Sequence, residues 1–132
     1  MDTSKEYIKM CEKAQELQWI YNNSDRNNGD ILYSKHGIDV YSDCFDGGEM
    51  AGKDFILIFR QDQLIEMISG SRGVDNISSP IEYFHILYGF MKTIINKYNR
   101  WINTLEKVYL LFLMREEYCK IWNIETKEWV GL

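Results

Sequence analysis

Acidic side chains crowd into one short stretch of this chain. IDVYSDCFDGGE, residues 38 to 49, sets Asp39, Asp43, Asp46 and Glu49 around a pair of glycines. Carboxylates at that density are the donor set of a hard-cation loop. An EF-hand loop, however, needs acids at its first, third and fifth positions before the glycine, and the spacing here does not supply them. The stretch reads instead as a solvated acidic loop. If it has a task, the expected one is contact with a basic surface on another protein, with Tyr41 and Phe45 as aromatic anchors.

The other side chains able to do chemistry stand alone. His36 falls in a turn and His85 inside a helical pattern, and neither has a fixed carboxylate beside it to orient an imidazole for base catalysis. Cys11, Cys44 and Cys119 form no C-x-x-C pair and have no histidine at metal-ligand spacing, so reduced thiols are expected. Cys44 lacks a neighbouring cation that would favour its thiolate. GGEMAGK, residues 47 to 53, lacks the glycine-lysine order of a phosphate loop and leads into a strand, not a helix. The expectation is a protein with no catalytic constellation, no cofactor and no metal site.

The cluster FRQDQLIEMI, residues 59 to 68, holds no nucleophile and follows directly on the apolar run FILIF. It reads as a hinge from strand to helix. Asp62 lies in the first helical turn, opposite the positive helix end; Leu64, Ile65 and Ile68 supply the buried side, and Arg60, Gln61, Gln63 and Glu66 are left for solvent or a partner.

The elements that would position these groups are legible from caps and periodicity. Thr3-Ser4-Lys5-Glu6, Ser79-Pro80-Ile81-Glu82 and Asn103-Thr104-Leu105-Glu106 each have the capping-box pattern of a helix start. The first opens a helix with Tyr7, Ile8, Cys11, Ala14 and Leu17 on its apolar face; the second carries a stripe of Ile81, Phe84, Tyr88, Met91, Ile95 and Tyr98. The third runs through VYLLFLM with no polar face, which predicts the most buried helix. ILYSK, IDVYS and DFILIF read as three strands, most simply an antiparallel meander, with KHG as a hairpin turn. IWNIETKEWV reads as a closing hairpin. Trp101, Trp122 and Trp129, with Trp19 and Tyr21, are expected in the core more than on a binding face, and Arg115, Glu116 and Glu117 are expected to meet solvent at a helix end. Together these give an α+β domain spanning residues 1–132: an N-terminal helix, a small antiparallel three-stranded sheet, and a C-terminal helical half with a closing hairpin.

Composition narrows the classes further. A chain of 132 residues with 45% hydrophobic and 27% charged content is ordinary for one globular domain. No apolar run approaches the roughly 20 residues of a membrane span, and the N-terminus has no signal-peptide core, so a cytoplasmic protein is expected. The net charge is −5, and residues 1–66 carry thirteen acids against seven bases. That balance counts against direct nucleic-acid binding.

KEYIKMCEKAQELQ, RQDQLIEM, LLFLMREEYCKIWN and KEWV resemble a family of small proteins encoded by phages and prophages of AT-rich Gram-positive bacteria. The resemblance covers both ends and the central hinge and leaves out residues 22 to 54. It implies no activity or catalytic residues. It does imply a small viral protein in a bacterial cytoplasm, and such proteins act by stoichiometric binding, including inhibition of host immunity effectors such as CRISPR nucleases. The expected function is a non-enzymatic inhibitor of a host protein with a basic surface. The alternative is a small nucleotide- or metabolite-binding protein or enzyme with its site between sheet and helices.

Overall fold

Ser4 starts the first helix. In the computed structural model, which describes residues 1–22, 29–40, 55–69, 80–98 and 101–132, its hydroxyl accepts the Tyr7 N–H at 3.2 Å and opens α1 (Lys5–Lys13). The chain forms two compact units, Thr3–Phe59 on the one hand and Met1–Asp2 with Arg60–Leu132 on the other.

In the first unit the single N-terminal helix read from the sequence is divided. Ala14 leaves the helical region at φ −78° and ψ 65°, ends α1, and begins α2 (Gln15–Asn22). Its buried backbone serves both helices: the N–H donates to Met10 and Cys11, and the carbonyl accepts from Leu17 and Gln18. The periodicity of Tyr7, Cys11 and Ala14 survives the break because all three remain buried.

The sheet comprises β1 (Ile31–Ser34), β2 (Gly37–Val40) and β3 (Ile56–Ile58). All pairings are antiparallel, as the sequence predicts, but the order is β2-β1-β3. It is therefore not a meander: β3 returns beside β1, making the first strand central. The apolar content explains this order, since Leu32 and Leu57 face each other across β1 and β3 with almost no exposure, whereas β2 is solvated along most of its length. The hairpin turns through Lys35 and His36, and Gly37 closes it at φ 109°. Open space surrounds the position a Cβ would take there, so backbone conformation and not crowding is what calls for glycine.

The second unit is built around α5 (Leu105–Tyr118), preceded by α3 (Gln61–Ser69) and α4 (Pro80–Tyr98) and followed by β4 (Lys120–Asn123) and β5 (Glu128–Gly131). As its unbroken apolar run predicts, α5 is buried from Glu106 through Val108 and from Leu110 through Met114. It packs against α3, α4 and β4. The buried face of α4 differs from the predicted stripe: Leu87, Phe90 and Ile94 are buried, while Tyr88 is 58% exposed. Apolar residues lie on more than one face of this helix, so the spacing alone admits more than one stripe. Of the other predicted members Met91 is half-buried, and the side chains of Ile81, Phe84, Ile95 and Tyr98 lie outside the described residues. Phe90 meets Phe112 edge to face at 5.0 Å.

Cys119 ends α5 in the left-handed region at φ 52°, its N–H donating to the Arg115 carbonyl, and turns the chain into the closing hairpin. There Trp122 and Trp129 pair across the strands with rings 5.1 Å apart. The turn is organised by Asn123, whose side-chain oxygen accepts from the N–H groups of Glu125 and Thr126. No described helix is long and apolar enough to cross a membrane.

Candidate functional site

One carboxamide seals one edge of the sheet. Gln18, on α2, accepts the Leu57 N–H at 3.0 Å and donates to the Leu57 carbonyl at 2.8 Å, taking the place of a neighbouring strand. The same side chain donates to the Cys11 carbonyl at 3.0 Å, beside the break between α1 and α2. Tyr7 adds a buried hydrogen bond from its hydroxyl to the Phe59 carbonyl at 2.7 Å. The outer edge of β3 is thus held by side chains of the preceding helices.

The opposite edge is treated differently. In an antiparallel ladder, residues alternate between exchanging hydrogen bonds with one neighbour and facing away from it. Since Leu57 directs both backbone groups to Gln18, its partner Leu32 directs its own toward Asp39 on β2. Ile38 and Val40 consequently turn their backbone groups to the outside. The Val40 N–H is taken by the Asp39 carboxylate of the same strand, at 2.9 Å.

The side chains follow the same register. Ile31, Tyr33, Ile38, Val40 and Ile56 share one face of the sheet. Ile38 is 46% exposed and Val40 52%, with Ile31, Tyr33 and Ile56 half-buried beside them. An apolar strip thus runs along an outward-facing edge, with an exposed carboxylate, Asp39, on the other side of the strand. Such an edge has the backbone groups and side chains for strand addition.

Among the sequence-predicted site residues, Asp39 belongs to this edge. Tyr41, Asp43, Phe45, Asp46 and Glu49 lie outside the described residues, as does Cys44. His36 and His85 are both exposed. Among the described residues, no group of three or more His, Cys, Asp or Glu side chains comes together as a metal site.

The RQDQ cluster is a helix start, as read. Arg60 binds Asp62 through two hydrogen bonds of 3.0 and 3.1 Å, which hold that carboxyl below its ordinary value. Gln63, assigned from the sequence to solvent or a partner, instead accepts the Arg60 N–H at 2.9 Å and caps the helix. Ile65, assigned to the buried side, is exposed, leaving Leu64 and Ile68 to anchor α3.

A further polar cluster was not legible in the sequence. Lys107, with 4% of its side chain exposed, lies 3.8 Å from Asp2, donates to Asn103 at 2.9 Å and sits 5.3 Å from the centre of the Trp101 ring. Asp2 also accepts from the Thr104 hydroxyl at 2.6 Å. These contacts make the cluster a structural tie between Asp2 and α5. No local signal pairs residues about a hundred positions apart. Trp19 departs from the expectation of a core aromatic at 67% exposure, whereas Tyr21 and Trp122 are buried. Arg115 is exposed, and Glu116 and Glu117 are half-buried.

No known protein family, no curated protein and no solved structure matches the chain.

Proposed function

We propose that this is a non-enzymatic binding protein that occupies a host protein in the bacterial cytoplasm, taking hold of it through the β2 edge and the acidic stretch beginning at Asp39. The observation that carries this reading is the contrast between the two edges of the sheet: Gln18 seals one, while Ile38 and Val40 stay exposed on the other. The occupant that fits is an extended segment with basic side chains. It would pair with the outward backbone groups of Ile38, lay apolar residues on Ile38 and Val40, and draw the Asp39 carboxylate off the Val40 N–H into a charge-assisted contact. The phage resemblance supports a host target, with a defence effector such as a CRISPR nuclease as the foremost candidate.

The test is affinity capture from host lysate at low and moderate salt, comparing the wild type with Ile38→Lys/Val40→Lys and with Asp39→Ala. The expected result is one host protein recovered in stoichiometric amount, weakened by salt and by Asp39→Ala, and lost with the double lysine variant. Equal recovery by the double variant would remove the edge from the reading, and no recovery by the wild type would remove the reading itself. Alanine variants of Asp43, Asp46 and Glu49 measure the share of the acidic stretch.

A further inference from the structure

The second unit holds a cavity of about 200 Å³, open on one side, between α4, α5 and the closing hairpin. Phe90 and Ile94 wall it from α4, Leu111 from α5 and Ile121 from β4. Its lining is apolar, yet two cationic side chains, Lys97 and Arg115, also line it. The Arg115 guanidinium lies over the Phe90 ring, 5.5 Å from its centre, and has no carboxylate partner among the described residues. The third polar group, the Thr93 hydroxyl, is spent on the Gly89 carbonyl at 3.1 Å, so the donor set offered to a ligand is the Arg115 guanidinium.

We infer that this cavity is a binding site for a small apolar monocarboxylate: one aromatic ring or a short alkyl chain, with its carboxylate on the Arg115 fork. A planar guanidinium offers paired N–H donors that match a carboxylate, and its place over the Phe90 ring holds it at the cavity wall. Size narrows the class. An apolar cavity of about 150 Å³ takes benzene, whereas drug-sized ligands occupy roughly 300 to 1,000 Å³. A cavity of 200 Å³ therefore fits a one-ring acid. The site lies in a different unit from the β2 edge and stands independently of the binding function proposed above.

The experiment is a titration of the ¹⁵N-labelled protein with 3-phenylpropionate and octanoate, with 3-phenylpropanol and propionate as controls, followed by amide shifts. Both amphipathic acids are expected to move resonances of Phe90, Ile94, Leu111 and Ile121 saturably, with the alcohol and the short acid roughly tenfold or more weaker. Arg115→Gln should weaken 3-phenylpropionate about tenfold. Thr93→Trp, at an exposed position on the cavity wall, should abolish binding by filling the space, with melting temperature reporting that each variant is folded. The inference is overturned if neither acid binds at millimolar concentration, if the alcohol binds as well as the acid, or if folded Arg115→Gln binds unchanged. Ile38→Lys/Val40→Lys should retain acid binding, which separates failure here from failure of the edge.

Discussion

At the level of single residues, several of the described acids act as local fasteners. Asp62 is the clearest case. Its hydrogen bonds with Arg60 favour the charged form and hold its pKa below the ordinary 3.8, although its side chain is largely exposed. A carboxyl depressed by folding adds stability that is fully present above its unfolded value and is lost as pH falls through the lower folded value. Exposure and salt screening keep the contribution to about 0.5 kcal/mol or less. Asp62→Asn is accordingly expected to be slightly less stable than the wild type at pH 7 and to converge with it below pH 3.8, measured by urea unfolding at both ends of that window. A difference that persists unchanged in acid would assign the effect to the helix start and not to the ion pair.

At the level of elements, the capping boxes show how far a local pattern reaches. Of the three capping boxes, the one opening at Ser79 has that residue outside the described residues; the other two predict a helix at the right place, but the cap falls one residue later, on Ser4 and Thr104. Glu6 and Glu106 then stand at the second helical position, where a carboxylate favours the helix through its charge. The closing hairpin was legible because Asn123 and the two Trp-bearing strands are a self-contained signal. Strand order was not, since it rests on contacts distant in sequence, Leu32 against Leu57 and the Gln18 amide on the far side of Leu57. That pin joins α1, α2 and β3 in one side chain, and its removal leaves three backbone groups without their side-chain partner. Gln18→Ala should cost about 2 to 3 kcal/mol in urea unfolding. Gln18→Glu should cost at least as much, because it sets a carboxylate against the Cys11 and Leu57 carbonyl oxygens. A loss within a few tenths of a kcal/mol would mean that water satisfies this edge as well as the amide does.

At the level of the whole chain, the fold class was readable because each element announces itself locally, while the candidate edge was not, because it is defined by what the neighbouring elements leave uncovered. Asp39 was singled out for its charge; Ile38 and Val40 beside it gain meaning only from the register with β1. Net charge gives this edge a further consequence. At −5, copies of the protein repel one another near neutral pH, and near the isoelectric point of about 5.0 that repulsion vanishes. With two exposed β-branched side chains and no described strand on its outer side, β2 can then pair with its counterpart on a second copy. Sedimentation is expected to show concentration-dependent association at pH 5 and monomers at pH 7.5. Ile38→Lys/Val40→Lys should stay monomeric even at its own, higher isoelectric point, where its net charge is equally zero. That control separates the two causes: if the variant associates there as strongly as the wild type does at pH 5, loss of charge alone drives assembly and the β2 edge takes no part in it.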